Sequence, residues 1–169
     1  MSTQTLKNYE YHVWANKRVF ARLEELPEEI LHQEMSNVFP TIYAGLVHIY
    51  RVDNVWLSGI KGNSYEQVKE LLVTVEEKTT GKSMKQLEAA FSELAEAYRA
   101  FLNSGADWQA VKDFPHPTYG VLHASNEELI QHVVNHGTYH RGNITSMLRQ
   151  LEHAGVSSDY VFYLYDVNK

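Results

Sequence analysis

Cysteine is missing from this 169-residue chain. Disulfides, thiolate metal ligands and cysteine nucleophiles are therefore excluded, and any nucleophilic sulfur must come from outside the protein. A basic surplus is missing too: 15 Lys and Arg stand against 21 Asp and Glu, a formal net charge of -6. No dense Lys/Arg run is present, so nucleic acid, which calls for a concentrated basic face, is not an expected partner. No apolar run is long enough to cross a bilayer. Residues 1–10 are polar and charged, without an apolar signal region. The expected location is the cytoplasm, with no membrane partner. Several catalytic signatures are also lacking: G-x-S-x-G, the Walker loop and the dinucleotide fingerprint. The zincin H-E-x-x-H is absent, since Val133 and Gly137 stand where its Glu would. A di-iron bundle needs inward Glu and paired Glu-x-x-His motifs. Here the single Glu-x-x-His, Glu29–His32, falls in a connector.

What remains is an ordinary globular composition, 44% hydrophobic and 21% charged, long enough for one domain over residues 1–169 with a continuous core. Four amphipathic segments dominate it. The first spans Thr3–Glu25, with Leu6, Tyr9, Val13, Asn16, Phe20 and Leu23 at helical spacing. Pro27–Met35 is a connector with room for one helical turn. Pro40, favoured in a first turn, opens a second helix to about Ile60, striped by Thr41, Gly45, His48, Val52, Val55/Trp56 and Gly59. Residues 61–82 are polar, and their Tyr65–Val75 portion reads as either a short helix or an extended crossover. Ser83 and Gln86 have the spacing of a capping box and open the third helix, which stops near Asn103–Gly105. Asp107–Ala124, broken by Pro115, Pro117 and Gly120, reads as a β-hairpin. Ser125 and Glu128 form a second capping box before a fourth helix, Glu127–His153, with Gly155 as its C-terminal glycine. The aromatic tail Asp159–Val167 is expected to pack on the rest. The fold class is all-α: a four-helix bundle with a long crossover between helices two and three and a small hairpin before helix four.

Histidines carry the chemistry. At about 100° per residue, His136 and His140 fall within the apolar sector of helix four, together with Leu129, Val133, Ile144 and Met147. Imidazoles at i and i+4 project together and can share one metal ion. His48, on the stripe of helix two, is the third candidate, while His132 lies at the sector's edge as a flanking residue. The competing account is a polar layer that sets helix register. Three neutral imidazoles without thiolate suit a divalent transition metal, zinc or nickel foremost, with iron(II) and copper also compatible. Three protein ligands leave a position open for water or substrate, the pattern of catalytic rather than structural sites. Neither His-bearing stripe carries a carboxylate. The remaining histidines are expected elsewhere: His12 off its stripe and solvated or at a contact, His32, His116 and His123 on the surface, and His153 near a helix C-terminus. Asn16 is expected to be a hydrogen-bonded core amide.

Three stretches resemble one family: Trp14-Ala15-Asn16, Leu46-Val47-His48-Ile49, and the run His132-Val133-Val134-Asn135-His136-Gly137-Thr138-Tyr139-His140-Arg141-Gly142-Asn143-Ile144. Their order and spacing are similar to those of the DinB-like (DinB/YfiT) family over nearly the whole chain. Asn143 stands where many relatives have Gln. The resemblance implies a four-helix bundle with a long crossover, a divalent metal on His48, His136 and His140, and a homodimer. In some relatives it implies transfer of a low-molecular-weight thiol to an electrophilic substrate. Arg141 is then a candidate to hold an anionic thiol, although it lies about 100° from the ligand direction. The alternative is a non-catalytic, damage-induced protein in which the metal is structural.

Overall fold

A computed structural model describes residues 3–169, so Met1 and Ser2 lie outside the described residues. Its elements are α1 (Thr3–Glu24), α2 (Glu28–His32), α3 (Ile42–Ile60), α4 (Tyr65–Thr79), α5 (Met84–Leu102), β1 (Val111–His116), β2 (Gly120–Ser125), α6 (Asn126–Gln150) and α7 (Tyr160–Val167). The four long helices α1, α3, α5 and α6 build the expected bundle. α6 lies against both α1 and α3, and α5 lies against the same two helices from the other side. α1 and α3 therefore face each other across the bundle interior.

Helix starts follow local chemistry. Ser83 and Ser125 each accept from the backbone N–H three residues on, and Gln86 and Glu128 reach back to cap the serine N–H. A third such box, Ser64 with Gln67, opens α4. That Ser-x-x-Gln spacing is the signal that makes residues 65–79 a helix rather than an extended crossover. Pro40 is not in a first turn: Thr41 is the cap of α3, its Oγ1 accepting from the Ala44 N–H at 3.0 Å, and a hydroxyl that satisfies an orphan donor outranks a residue that merely lacks one. The hairpin is antiparallel, pairing Val111 with Ser125 through His116 with Gly120.

The end of α6 differs from expectation. It stops at Gln150, and the left-handed residue that closes it is Glu152 (φ 62°), not Gly155. The Glu152 N–H donates to the Arg149 carbonyl (3.1 Å) and the His153 N–H to the Leu148 carbonyl (2.9 Å), the pair of bonds that defines a Schellman cap. Gly155 is small for another reason, since a Cβ there would meet the Thr145 side chain. Replacing Glu152 with glycine removes the left-handed penalty and is expected to raise stability by about 0.5–1 kcal/mol, read as a higher urea midpoint.

The interior is continuous, from Tyr9, Phe20 and Leu23 through Ile42, Ile49 and Tyr98 to Ile130, Ile144 and Met147. The tail folds as α7 and docks on α1, packing Tyr163 with Tyr11, Ala15 and Val134. Trp14 Nε1 donates to Asp166 at 3.1 Å across the same contact. No helix among the described residues is long and apolar enough to cross a membrane.

Candidate metal centre

His48 comes from the middle of α3, and His136 and His140 from successive turns of α6, where those two helices lie side by side. One nitrogen from each ring lies within 4.8 Å of the others. His48 Nε2 and His136 Nε2 are 3.1 Å apart. Two imidazole nitrogens about 2.0–2.1 Å from one tetrahedral metal ion would stand about 3.3 Å apart, so this edge fits a shared ion. His140 presents its ring edge-on to both partners, with centroids 4.5 Å from His48 and 4.3 Å from His136. Its Nδ1 rests against the Asn143 amide at 3.3 Å, leaving Nε2 as the free nitrogen. His136 Nδ1 is buried and has no hydrogen-bond partner among the described residues. A buried polar atom without a partner costs stability, and this one is the ring's other nitrogen, not the Nε2 that faces His48 and would meet a shared ion. With three nitrogen donors and no thiolate, the chemistry of the set suits a borderline divalent ion.

Electrostatics keep the rings unprotonated. Burial, followed by the neighbouring His140 and His48, pushes His136 down to about 3. Burial and then His48 push His140 down to about 4. His48 is lowered chiefly by burial, with Arg51 adding to it. At neutral pH the lone pairs are therefore available for coordination. The sign of the pH dependence follows from the same shifts. Unfolded imidazoles take up protons near pH 6.5, well above the folded rings, so acid favours the unfolded chain. In the presence of chelator, stability is expected to be full above about pH 6.5 and to fall as pH drops towards 4 and then 3. Urea midpoints at pH 7.5 and 4.5 check this, and equal midpoints contradict it.

Aromatic side chains wall the cluster. The Phe39 ring lies 5.1 Å from both His48 and His140, and Tyr139 lies 4.9 Å from His140. His132 is exposed, its ring 5.9 Å from His136 and edge-on to Trp56 at 4.9 Å, so it flanks the triad as expected. His32, His116 and His123 are exposed, and His153 is half-buried beyond the end of α6.

Three residues sit where the one-stripe reading did not place them. His12, expected to be solvated or at a contact, is at a contact and 1% exposed, because α1 has neighbours on several sides (α5, α6 and α7) and buries a wide arc. Asp53, 2% exposed, is a carboxylate inside α3. The buried face of that helix is Ile42, Gly45, Leu46, Ile49, Tyr50, Asp53, Leu57, Ser58 and Ile60, which keeps Gly45 of the expected stripe but is otherwise rotated by about one residue from it, with His48 at its edge. Arg141 is 1% exposed and donates to Asn16 Oδ1 (2.9 Å) and Thr138 Oγ1 (3.0 Å), so it is not at the mouth of the cluster. Asn16 is the hydrogen-bonded core amide expected of it.

The profile of the DinB family matches residues 1–167. The chain belongs to the DinB family. Among DinB proteins, Protein DinB of Bacillus subtilis (strain 168) is 42% identical over 165 residues, covering 98% of this chain and 96% of the relative. A crystal structure of a DinB-like protein from Bacillus cereus ATCC 10987 has a similar fold, with a TM-score of 0.66 at 22% identity over 90% of this chain and 94% of that one. The DinB fold thus places the histidine cluster on the seam between α3 and α6.

Proposed function

We propose that His48, His136 and His140 hold one divalent transition-metal ion, zinc or nickel first among the candidates, and that the centre serves transfer of a small thiol to an electrophile. The observation that carries this reading is the convergence of three low-pKa imidazoles from two helices on one point, with no fourth protein ligand in the cluster among the described residues. Bound there, the ion would supply Lewis acidity that lowers the pKa of a coordinated thiol.

The chain's own residues do the rest. The three imidazoles stay neutral because they are withdrawn from water beside one another, His140 buried and His48 and His136 half-buried, and they offer lone pairs at pH 7. Asn143 orients the His140 ring through its Nδ1. Phe39 and Tyr139 pack against the rings on one side, while Trp56 and His132 border the other. Because the chain has no cysteine, the sulfur belongs to the cosubstrate. Its S–H bond breaks, a sulfur–carbon bond forms, the leaving group departs with the bonding pair, and the proton passes to solvent.

Elemental analysis of protein purified without an affinity tag is expected to find one divalent ion per chain. Thiol consumption with a panel of electrophiles is expected to depend on that ion. Failure to bind Zn(II) or Ni(II) sinks the metal reading. Tight metal binding without turnover of any physiological thiol leaves the ion as a structural staple between α3 and α6 and sinks the transfer reading.

A further inference from the structure

The largest fully buried side chain among the described residues is that of Arg141, and it does not serve the histidine cluster directly. It belongs to a second polar group inside the bundle. Arg141 Nη1 donates to Asn16 Oδ1 at 2.9 Å and lies 3.3 Å from His12 Nδ1. His12 Nε2 lies 2.8 Å from Asp53 Oδ2. A guanidinium only donates and a carboxylate only accepts. His12 therefore accepts at Nδ1 and donates from Nε2, and the Asn16 Nδ2 contact to Nε2 at 3.0 Å is packing rather than a hydrogen bond. Tyr98 of α5 donates to the Asp53 carbonyl at 2.6 Å. Both ring nitrogens of His12 are thus engaged. The cleft between α1 and α5 reaches His12 and Asp53, and the second carboxylate oxygen of Asp53, Oδ1, has no hydrogen-bond partner among the described residues.

The positions of these residues are informative. Gly137 and Arg141 each follow a cluster histidine by one residue in α6, so they occupy the adjoining face, turned towards α1. Asp53 lies five residues after His48 in α3, turned towards the same interior. The cluster joins α3 to α6 on one side. The polar group joins the same two helices through α1 on the other.

We propose that the His12–Asp53–Asn16–Arg141 group positions the histidine cluster, holding the rotation of α6 and its spacing from α3 before a metal ion arrives. The inference rests on the reading of the cluster as a metal centre. Its physical basis is the narrow tolerance of such a site. Ligand distances must be right to about 0.2 Å. At a side-chain radius of about 5–6 Å, that is about 2° of helix rotation. Apolar packing alone tolerates more than this, whereas directional bonds to a charged, buried guanidinium do not.

Co(II) is the probe, because its visible absorption reports coordination geometry. Wild type, Asn16→Ala and His12→Gln are compared by Co(II) affinity, visible spectrum, and thermal midpoint of the metal-free protein. Both variants are expected to fold with a lower midpoint, to bind Co(II) at least ten-fold more weakly and to show an altered spectrum. Leu87→Ala, a core truncation in α5 away from the group, is expected to lower the midpoint but leave affinity and spectrum unchanged. Should neither network variant fold, Thr138→Ala removes one exposed acceptor of Arg141 and is expected to weaken binding about three-fold. Folded variants that bind like wild type overturn the proposal, as does Leu87→Ala weakening binding as much as they do. A wild type that binds no Co(II) overturns the metal reading itself.

Discussion

Alanine in place of Gly137 is expected to lower stability by about 3 kcal/mol, against the usual direction for a helix interior. Glycine in mid-helix normally costs about 1 kcal/mol relative to alanine, so the exchange would ordinarily stabilise. Here a Cβ would overlap His12 Cε1 and Nδ1 and stand 2.7 Å from Arg141 Nη1. Neither neighbour can give way, since both are 1% exposed and hydrogen-bonded. The protein must push α6 off α1 or break a buried polar contact, at a cost of about 1–3 kcal/mol for overpacking and more if a buried charge loses its partner. For a chain of this size, about 3 kcal/mol is a fall of about 6–12 °C in thermal midpoint. Gly142, on the same helix, is the control: nothing lies within 4 Å of its added Cβ, so Gly142→Ala is expected to gain about 1 kcal/mol. Equal effects at the two positions would show that α1 and α6 do not approach as described.

His136→Ala separates the metal account from the polar-layer account. His136 is the central ring, 3.1 Å from His48 through Nε2 and packed against His140. Its loss should weaken Zn(II) or Ni(II) binding by more than about 100-fold, beyond the 10–100-fold typical of an outer-sphere partner. The metal-free protein should change far less. Truncation leaves a small cavity, but it also removes a buried, unpartnered Nδ1 and a ring that resists protonation. The metal-free variant is therefore expected to lose less stability than wild type between pH 7.5 and 4.5. A large drop in metal-free stability, with no metal affinity to lose, would favour a layer that merely sets register.

Much of the molecule is local in origin, and that part was legible in the sequence. The capping serines 83 and 125, the helical spacing behind them, the Pro- and Gly-broken hairpin and the i, i+4 histidine pair all depend on residues within a few positions of one another. The pairing of His48 with that couple was also legible, because each lies on an inward or edge face of a long helix. The Ser64–Gln67 box shows that α4 was readable by the same rule.

The breadth of each buried face was not legible. A helical wheel assigns one stripe to one neighbour, but α1 meets α5, α6 and α7, and α3 meets α4, α5 and α6. Burial then extends around the helix to residues with no apolar signature, which is how His12, Asp53 and Arg141 come to lie inside. Sequence alone settled the four long helices, the capping serines that open two of them and which imidazoles stand one turn apart, because those follow from backbone hydrogen bonding and side-chain spacing. Tertiary packing alone decided which polar groups are withdrawn from water and whom they meet there, because that depends on how many helices surround each one.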